Sequence, residues 1–312
     1  MKVLIPEKVH PFLIEKLSAC GMSVTHRPDA SYEEVFGVIA GYDILVIRSK
    51  FKIDKSFLSR ASNLKIIARY GAGIEGIDVE GCTQKGIKVL NAPEGNRNAV
   101  AEHTLGLLLG LTNKICKANH EVKKGLWDRN ANWGMELEGK VVGIIGFGNT
   151  GSSFARKLWG FDTEVVAYDK YKSNFGNKHV KEVSLDYIFH NADVVSLHIP
   201  YCKENHHFAD WDFFAAFSHP VFFLNTSRGQ VTDTAALLEA LKNGKVRAAG
   251  LDVLEYEKGN FESLFASENK VIAELAAMEQ VILTPHVAGW SHESYFKLAK
   301  VLAEKICRHI NG

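Results

Sequence analysis

The stretch VVGIIGFGNTGSSFARKLWGFDTEVVAYD (141–169) decides the fold class of this chain. A five-residue apolar run at 141–145 leads into Gly146, Gly148 and Gly151, and a helical pattern with apolar residues on one side follows. A second apolar run then closes on Asp169. A strand, a glycine turn, a helix and an acidic strand end, in this order, are typical of a dinucleotide-binding turn.

Each glycine of this turn has a separate structural reason. Gly146 permits the tight turn, Gly148 lets the backbone approach a pyrophosphate group, and Gly151 lets helix and strand pack closely. Asn149 and Thr150 complete the turn at the start of the helix, where unpaired N–H groups favour phosphate charge. The context therefore favours a cofactor site over a glycine turn without a ligand.

Asp169 indicates which dinucleotide is bound. A carboxylate at this strand end accepts hydrogen bonds from the adenosine ribose hydroxyls and repels a 2′-phosphate, which predicts NAD rather than NADP. Lys170 and Lys172 follow directly, and their charges weaken this preference without reversing it.

Short apolar runs and amphipathic helical patterns alternate on both sides of this stretch. Such alternation predicts an α/β fold of two doubly wound domains, each with a parallel sheet covered on both faces. A long helix is expected over about 98–124, a connector over 125–139 and a final helix over 291–310. The other predicted strands lie at 3–6, 43–47, 65–68, 87–90, 193–199, 221–225, 246–252 and 281–285.

The composition agrees with two globular domains. The 312 residues suffice for two domains of about 150 residues each. Lys and Arg number 37 and Asp and Glu 36, a balance that offers no basic field to nucleic acid or to a membrane. No apolar run approaches the roughly 20 residues that span a bilayer.

The cysteines and histidines give no sign of a disulfide framework or a metal site. The five cysteines are scattered and form no CxxC pair, which favours a reducing cytoplasm. His206 and His207, with His198 nearby, lack further ligands at a suitable spacing, so a solvated loop without a metal is expected.

Three polar segments end or follow predicted strands, namely NTSRG (225–229), LDVLEYE (251–257) and LTPH (283–286). Because the carboxyl ends of parallel strands meet at one edge of a sheet, Arg228, Glu257 and His286 are expected to share a cleft. Each residue alone has an ordinary alternative: a surface ion pair for Arg228, a solvated loop acid for Glu257 and a satisfied buried histidine for His286.

These residue types together suit hydride transfer. An arginine fork binds a carboxylate and polarises the adjacent carbonyl. A histidine gives or takes the proton of the hydroxyl, and a neighbouring carboxylate orients its ring. The nicotinamide supplies the hydride.

At this point the chain resembles the D-isomer-specific 2-hydroxyacid dehydrogenases. The resemblance runs through nearly the whole sequence, and its motifs stand in the order of that family. They are Tyr70-Gly71-Ala72-Gly73, Asn91-Ala92-Pro93, Val100-Ala101-Glu102, the glycine turn, NTSRG, GLDVLEYE and TPH.

The resemblance implies roles for the matching positions. Arg228, Glu257 and His286 fall on the catalytic residues of the family, and Asp252 falls on a contact of the nicotinamide carboxamide. Thr226, within NTSRG, is expected beside the cofactor. The loop at Gly71, Ala72 and Gly73 falls on the segment that holds the substrate carboxylate.

The family also implies the domain organisation. Residues 1–98 and 288–312 would form a discontinuous, flavodoxin-like substrate domain, and residues 99–287 a Rossmann NAD-binding domain inserted into it. A cleft between them would hold the substrate. A homodimer is expected, built on the long helix and its connector, with Trp127 and Trp133 as alternative anchors or simple packing residues.

Within the family the chain most resembles the phosphoglycerate dehydrogenases. Those enzymes surround the substrate phosphate with three arginines, and Arg48, Arg69 and Arg129 match their positions, the last expected from the partner subunit. Several forked donors suit a phosphate dianion. This implies D-3-phosphoglycerate and 3-phosphohydroxypyruvate as substrate and product, in serine biosynthesis. The chain ends at Gly312, so a regulatory domain and feedback by serine are not expected.

The sequence also departs from the family. Lys258 stands where proline usually follows the catalytic glutamate, Cys202 stands where threonine is common, and the stretch from Glu257 to His286 is longer than expected. Two alternatives stay open. One is reduction of glyoxylate, hydroxypyruvate or another 2-keto acid. The other, of a different class, is a dinucleotide-sensing binding protein like the corepressors that resemble this family.

Overall fold

A computed structural model describes residues 1–257 and 270–311. The chain divides into two compact units. The first combines Met1–Arg97 with Trp290–Gly312, and the second is Asn98–Gly289. The first unit is therefore built from the two ends of the chain.

The central sheet of the first unit is parallel. Its strands are β1 (Lys2–Ile5), β2 (Ser23–His26), β3 (Ile44–Ile47), β4 (Ile66–Arg69) and β5 (Lys88–Asn91). They run in the order β2-β1-β3-β4-β5. The helices of this unit are α1 (Pro11–Ala19), α2 (Tyr32–Val38), α3 (Lys55–Arg60), α4 (Val79–Gln84) and α12 (His292–Asn311).

Alternate side chains of these strands enter two separate cores. Val3 and Ile5 pack with Leu302 and Ile306 of α12, whereas Leu4 packs with the layer on the opposite face. A strand buried on both faces needs apolar residues at every position, which explains the unbroken apolar runs. The packing of α12 on this sheet brings the end of the chain into the first unit.

The sheet of the second unit is also parallel. It runs in the order β12-β11-β10-β9-β6-β7-β8, so its first strand, β6, lies between β7 and β9. This position is the switch point at which open α/β sheets bind ligands. The strands are β6 (Val141–Ile145), β7 (Glu164–Tyr168), β8 (Lys181–Glu182), β9 (Val194–Leu197), β10 (Val221–Asn225), β11 (Val246–Leu251) and β12 (Val281–Leu283).

Helices cover both faces of this second sheet as well. Val142 and Ile144 of β6 pack in one core and Ile145 in the other. The helices are α6 (Ile115–Lys123), α7 (Asn149–Lys157), α8 (Leu185–Asn191), α9 (Trp211–Ala215), α10 (Thr234–Lys242) and α11 (Lys270–Ala277). One further helix, α5 (Pro93–Thr112), contains the point that separates the units. The two parallel sheets confirm the α/β prediction.

The structure corrects the predicted long helix over 98–124. Two helices replace it, α5 and α6, because Lys114 adopts a left-handed backbone conformation with φ 51°. A non-glycine residue in that region interrupts the helical ladder. The strands β2 and β8 were not predicted, since their residues are polar and only partly buried or exposed. The connector at 125–139 contains no helix or strand.

The expectation that no cysteines pair was wrong. Cys20, at the end of α1, forms a disulfide with Cys307 of α12. The two residues are 287 positions apart, so sequence spacing gave no sign that packing of α12 against α1 brings them together. Cys82, Cys116 and Cys202 are free thiols.

Candidate active site

The glycine turn joins β6 to α7 at the switch point. Gly146 has a φ of 93°, and a Cβ there would stand 2.7 Å from the carbonyl oxygen of His198. A Cβ on Gly151 would stand 2.0 Å from the oxygen of Gly146. Both positions therefore require glycine.

This turn fits the pyrophosphate of a dinucleotide. A Cβ on Gly148 would meet nothing within 4 Å, so the outer face of the turn is open. No side chain caps the start of α7 at Asn149 and Thr150. Backbone N–H groups at an uncapped helix start bind anionic groups, and the turn consequently offers a cradle for phosphate.

Asp169 lies against the same turn. Its Oδ2 accepts a hydrogen bond from the backbone N–H of Phe147 at 2.8 Å, and its Oδ1 accepts from Tyr171 and Lys172 at 2.9 and 3.1 Å. The Lys170 ammonium pairs with Glu204, and Lys172 donates to the oxygen of Phe147 at 3.0 Å. Both lysines that would favour a 2′-phosphate are thus engaged elsewhere.

His198 follows β9 beside the glycine turn. Burial lowers its pKa from 6.5 to about 3, because a low-dielectric interior disfavours the imidazolium. One ring nitrogen lies 2.9 Å from the hydroxyl of Ser196. The ring is therefore neutral at physiological pH and is held by Ser196.

The arginine segment follows β10. Buried Asn225 accepts hydrogen bonds from the N–H and hydroxyl of Ser227 at 2.9 and 2.8 Å, and it donates to the carbonyl oxygen of Arg228 at 3.0 Å. Arg228 Nη1 donates to the oxygen of Ser227 at 2.6 Å. A Cβ on Gly229 would stand 2.0 Å from the backbone of Leu254, so this segment packs directly on the segment that carries Glu257.

Glu257 and His286 are in direct contact. His286 Nδ1 lies 2.7 Å from Glu257 Oε2. The other carboxylate oxygen, Oε1, accepts a hydrogen bond from the N–H of Leu254. Since a carboxylate only accepts, Nδ1 carries the hydrogen of this bond. The second ring nitrogen, Nε2, lies on the opposite side of the ring and takes no part in the contact with Glu257.

The backbone of His286 is itself unusual. Its φ is 55°, a left-handed conformation that costs a non-glycine residue roughly 1–3 kcal/mol. Such a conformation persists only where the surroundings hold it, and Asp252 provides the nearest contacts. The N–H of His286 donates to the carbonyl oxygen of Asp252 at 2.8 Å.

Asp252 organises the segment around His286. Its side chain, 1% exposed, accepts hydrogen bonds from the Thr284 hydroxyl at 2.6 Å and from the N–H groups of Val287 and Ala288 at 2.9 and 2.8 Å. Most of its acceptor capacity is therefore used within the chain. Its predicted contact with the nicotinamide stays a prediction.

Thr226 lies in the same region of the second unit. Thr104 Oγ1 donates to the oxygen of Val100 at 2.7 Å and lies 2.9 Å from Thr226 Oγ1. Because the Thr104 hydroxyl has one hydrogen, Thr226 must donate the second bond. Towards a cofactor, Thr226 can then only accept.

The expectation of a solvated His206–His207 loop did not include one contact of His207, whose side chain is 33% exposed. Its Nε2 lies 2.6 Å from Glu255 Oε1, and Glu255 Oε2 accepts from the N–H and hydroxyl of Thr234. His207 therefore fixes the segment that leads to Glu257. Sequence reasoning missed this pair, since the two residues are far apart in the chain.

The first unit gathers two of the predicted arginines at one sheet edge. Arg48 directly follows β3, and Arg69 is the last residue of the neighbouring strand β4. Ile47, the last residue of β3, is the sheet partner of Arg69. The Arg48 guanidinium lies 5.5–6.0 Å from the ring centroids of Tyr70, Trp290 and Tyr295. These distances are in the range of cation–π contacts.

The loop after β4 lies beside Arg69. Arg69 Nη1 donates to the oxygen of Tyr70 at 2.9 Å, and a Cβ on Gly71 would stand 2.8 Å from this nitrogen. Asn91 Nδ2 donates to the oxygen of Ala72 at 2.6 Å, and Gly73 follows in the same loop. The Arg69 guanidinium and the loop at Gly71 to Gly73 thus lie side by side.

Arg129 belongs to the second unit, unlike Arg48 and Arg69. It lines an open depression with Trp127 and Trp133 in the connector. Both tryptophans are exposed, at 80% and 76%. Cys202 is an exposed thiol, and Lys258 lies outside the described residues.

Within 1–257 and 270–311, no three His, Cys, Asp or Glu side chains are grouped so as to hold a metal ion. Over the same residues, no helix combines the length and apolar character that a bilayer crossing requires.

Comparison with known proteins adds a family assignment. The model for "D-isomer specific 2-hydroxyacid dehydrogenase, NAD binding domain" matches residues 105–288. The hydroxypyruvate reductase of Thermotoga maritima is 36% identical over 278 residues, 89% of this chain and 88% of that protein. The D-3-phosphoglycerate dehydrogenase of Archaeoglobus fulgidus is 35% identical over 314 residues, 100% of this chain. This chain spans 58% of the length of that relative.

A solved structure shows the same architecture. The D-lactate dehydrogenase of Aquifex aeolicus, complexed with NAD and lactic acid, matches with a TM-score of 0.84 and 29% sequence identity. The match covers 100% of this chain and 96% of that one.

Proposed function

The chain belongs to the D-isomer-specific 2-hydroxyacid dehydrogenase family, and on this premise we propose that it interconverts a D-2-hydroxy acid and its 2-keto acid with NAD. The substrate pair that we propose is D-3-phosphoglycerate and 3-phosphohydroxypyruvate, a reaction that would serve serine biosynthesis. The observation that carries the proposal is the 2.7 Å contact between His286 Nδ1 and Glu257 Oε2.

In this mechanism the nicotinamide supplies or accepts the hydride, and the chain handles the proton. During reduction, His286 Nε2 gives a proton to the substrate oxygen, and during oxidation it takes that proton back. Glu257 holds the ring through Nδ1 and stabilises its protonated form. Arg228 binds the substrate carboxylate and polarises the carbonyl beside it.

The arginines of the first unit support a substrate with a second anionic group. Arg48 rests on three aromatic rings, and no ion pair joins its guanidinium to a carboxylate among the described residues. A cation held in this way stays able to bind an anion. Arg69, at the next strand end, adds a second guanidinium. The N–H groups of Ala72 and Gly73 would contribute backbone donors for the substrate carboxylate, whereas the Gly71 N–H already donates to the oxygen of Arg69 at 2.8 Å.

We further propose a homodimer. Large apolar side chains on α6 and the connector are exposed, a pattern typical of protein interfaces. Arg129 lies among them, in the depression with Trp127 and Trp133, and would act in the partner's site. The exposed residues are Ile115, Val122, Leu126, Trp127 and Trp133.

We also propose a cytoplasmic location, the expectation drawn from the scattered cysteines, and it has a consequence for Cys20 and Cys307, which form a disulfide in the structure. Cytosolic reductants keep such pairs as thiols. In that compartment the two residues would pack side by side without a bond, and the disulfide would form only under oxidising conditions.

The second candidate is hydroxypyruvate reduction. The Thermotoga maritima hydroxypyruvate reductase matches this chain over most of both lengths, and hydroxypyruvate lacks the phosphate that Arg48 and Arg69 would bind. The reaction and the roles of His286, Glu257 and Arg228 would be unchanged.

A substrate panel separates these functions. NADH oxidation would be measured with phosphohydroxypyruvate, hydroxypyruvate, glyoxylate and pyruvate, each repeated with NADPH. We expect the highest kcat/KM with phosphohydroxypyruvate and a clear loss with NADPH. An equal or higher value with hydroxypyruvate would select the second candidate, and NADH binding without any turnover would indicate a dinucleotide-sensing protein.

A further inference from the structure

His103, in the middle of α5, contacts the segment that carries His286. Its Nε2 lies 2.9 Å from Thr284 Oγ1 and 3.5 Å from Asp252 Oδ1. Thr284 precedes Pro285 and His286, while Asp252 holds the residues that follow His286. One side chain of α5 therefore reaches both supports of the catalytic histidine.

The hydrogen positions in this contact follow from the number of hydrogens that each group can donate. The Thr284 hydroxyl has one hydrogen, and its shortest bond, 2.6 Å, goes to Asp252 Oδ1. Because a carboxylate can only accept, the Thr284 hydroxyl donates its hydrogen to Asp252. The bond from His103 must then be donated by an Nε2–H group. The tautomer of His103 is thereby fixed, and its N–H points at the pair formed by Thr284 and Asp252.

The backbone of His286 explains why such support is needed. Its φ of 55° is unfavourable for a residue with a Cβ. Hydrogen bonds hold it from both sides, from Thr284 before it and from Val287 and Ala288 after it, and all of them converge on Asp252. If Asp252 moved, the left-handed turn would relax and the imidazole would leave Glu257.

We propose that His103 is a positioning residue for His286, acting through Thr284 and Asp252; the proposal rests on the proposed function. His103 donates to the Thr284 hydroxyl and places a donor beside a carboxylate that no lysine or arginine of the described chain pairs with. A buried carboxylate keeps its geometry only where its acceptors are satisfied. The catalytic ring is thus aligned from α5.

The next residue of α5, Thr104, contacts a second segment, the one that carries Arg228. It accepts the hydroxyl bond of Thr226, two residues before Arg228. The neighbours His103 and Thr104 therefore contact the segments of His286 and Arg228, respectively. Thr104 carries no part of the proposal for His103, but it shows that this turn of α5 faces the catalytic loops.

The test compares His103→Leu with His103→Gln. Leucine removes the donor, whereas glutamine keeps an N–H donor at a similar distance from the backbone. For His103→Leu we expect kcat to fall about tenfold or more, because misalignment of a catalytic group has effects of this size, while KM and the NADH dissociation constant change less than about threefold. Glutamine should restore most of kcat.

A second readout needs neither cofactor nor substrate. Hydrogen exchange of the apoprotein reports the amides of Val287 and Ala288, which Asp252 binds. Loss of His103 should speed their exchange about tenfold, the effect of about 1.4 kcal/mol, and leave peptides of the first unit unchanged. His190→Leu, an exposed histidine of α8, is the matched control and should change neither kcat nor this exchange.

Thr284 keeps the test informative if His103→Leu does not fold. Thr284→Val should reproduce the loss, Thr284→Ser should retain activity, and the double variant of His103→Leu and Thr284→Val should be no worse than either single change. Unchanged kcat and exchange in His103→Leu or Thr284→Val would overturn the proposal, as would additive losses. A wild-type chain without turnover would contradict the proposed function alone, because the exchange measurements would still decide the network.

Discussion

The strand ends of the two units carry opposite kinds of chemistry. In the first unit, guanidinium groups of Arg48 and Arg69 lie against aromatic rings and peptide oxygens. In the second unit, carboxylates of Asp252 and Glu257 contact a threonine hydroxyl, an imidazole and backbone N–H groups. An anion site needs positive charge that is not neutralised, whereas a proton-transfer site needs a ring held in one orientation.

This difference also appears in backbone strain. In the second unit, His286 lies in a left-handed conformation that a hydrogen-bond network stabilises. In the first unit Arg69 ends a regular strand and Arg48 follows one, and neither has a positive φ. We therefore expect the second unit to tolerate substitutions near its site less well than the first.

The largest expected effect is on proton transfer in the second unit. His286→Gln should lower kcat by roughly a thousandfold, within the range of general acid–base contributions. NADH affinity, measured by fluorescence titration, should change less than about threefold. Near-normal turnover in this variant would remove the assigned role, and a Glu257→Gln control should give an intermediate loss.

The next effect is on stability and concerns the disulfide of the first unit. Cys20→Ser should lower the free energy of unfolding by about 3 kcal/mol under oxidising conditions, because it releases a constraint on the unfolded chain. Urea denaturation measures this. Cys202→Ser, which removes an exposed free thiol, is the control. Added dithiothreitol should abolish the difference between wild type and Cys20→Ser, and a difference that survived reduction would point to packing instead.

The third effect is on substrate preference and tests the anion site that we propose at Arg69. Arg69→Ala should lower kcat/KM for phosphohydroxypyruvate by about 30-fold, close to 2 kcal/mol for a charge-assisted contact. The value for glyoxylate should fall much less, since glyoxylate has no second anionic group. Equal losses on both substrates would show that Arg69 does not read the phosphate.

The remaining effects distinguish the units by the pH dependence of their stability. Burial of His198 in the second unit gives a folded pKa of about 3 against 6.5, so the unfolded chain binds the extra proton. Stability should fall as the pH drops below 6.5, by up to about 1.4 kcal/mol per pH unit. His198→Gln should flatten this slope in acid denaturation curves.

The first unit should respond at the alkaline end instead. Burial raises the pKa of Tyr70 above its usual value of 10. The unfolded chain then loses the phenol proton first, and stability should fall as the pH rises above 10. Tyr70→Phe should reduce that slope and leave the acid side unchanged. A Tyr70→Phe chain with the same alkaline slope would show that other groups control it.

Local patterns in the sequence were sufficient for the fold class and for the cofactor turn. Unbroken apolar runs specify strands buried on both faces, and Gly146 and Gly151 mark backbone approaches that admit no Cβ. Polar strands with little burial, such as β2 and β8, carry no such pattern and were missed. The break of the long helix depends on one residue, Lys114. The helix propensity of lysine does not reveal the left-handed conformation that it adopts.

The candidate site divides in the same way. Arg228, Glu257 and His286 follow strand ends, so their types and order already indicated the chemistry that we propose for them. Only the tertiary structure decided how they are held. The disulfide between Cys20 and Cys307, the His207–Glu255 pair and the contact of His103 with Thr284 all join residues distant in the chain. Side-chain contacts of this kind depend on how helices pack on a sheet, and sequence spacing does not encode that geometry.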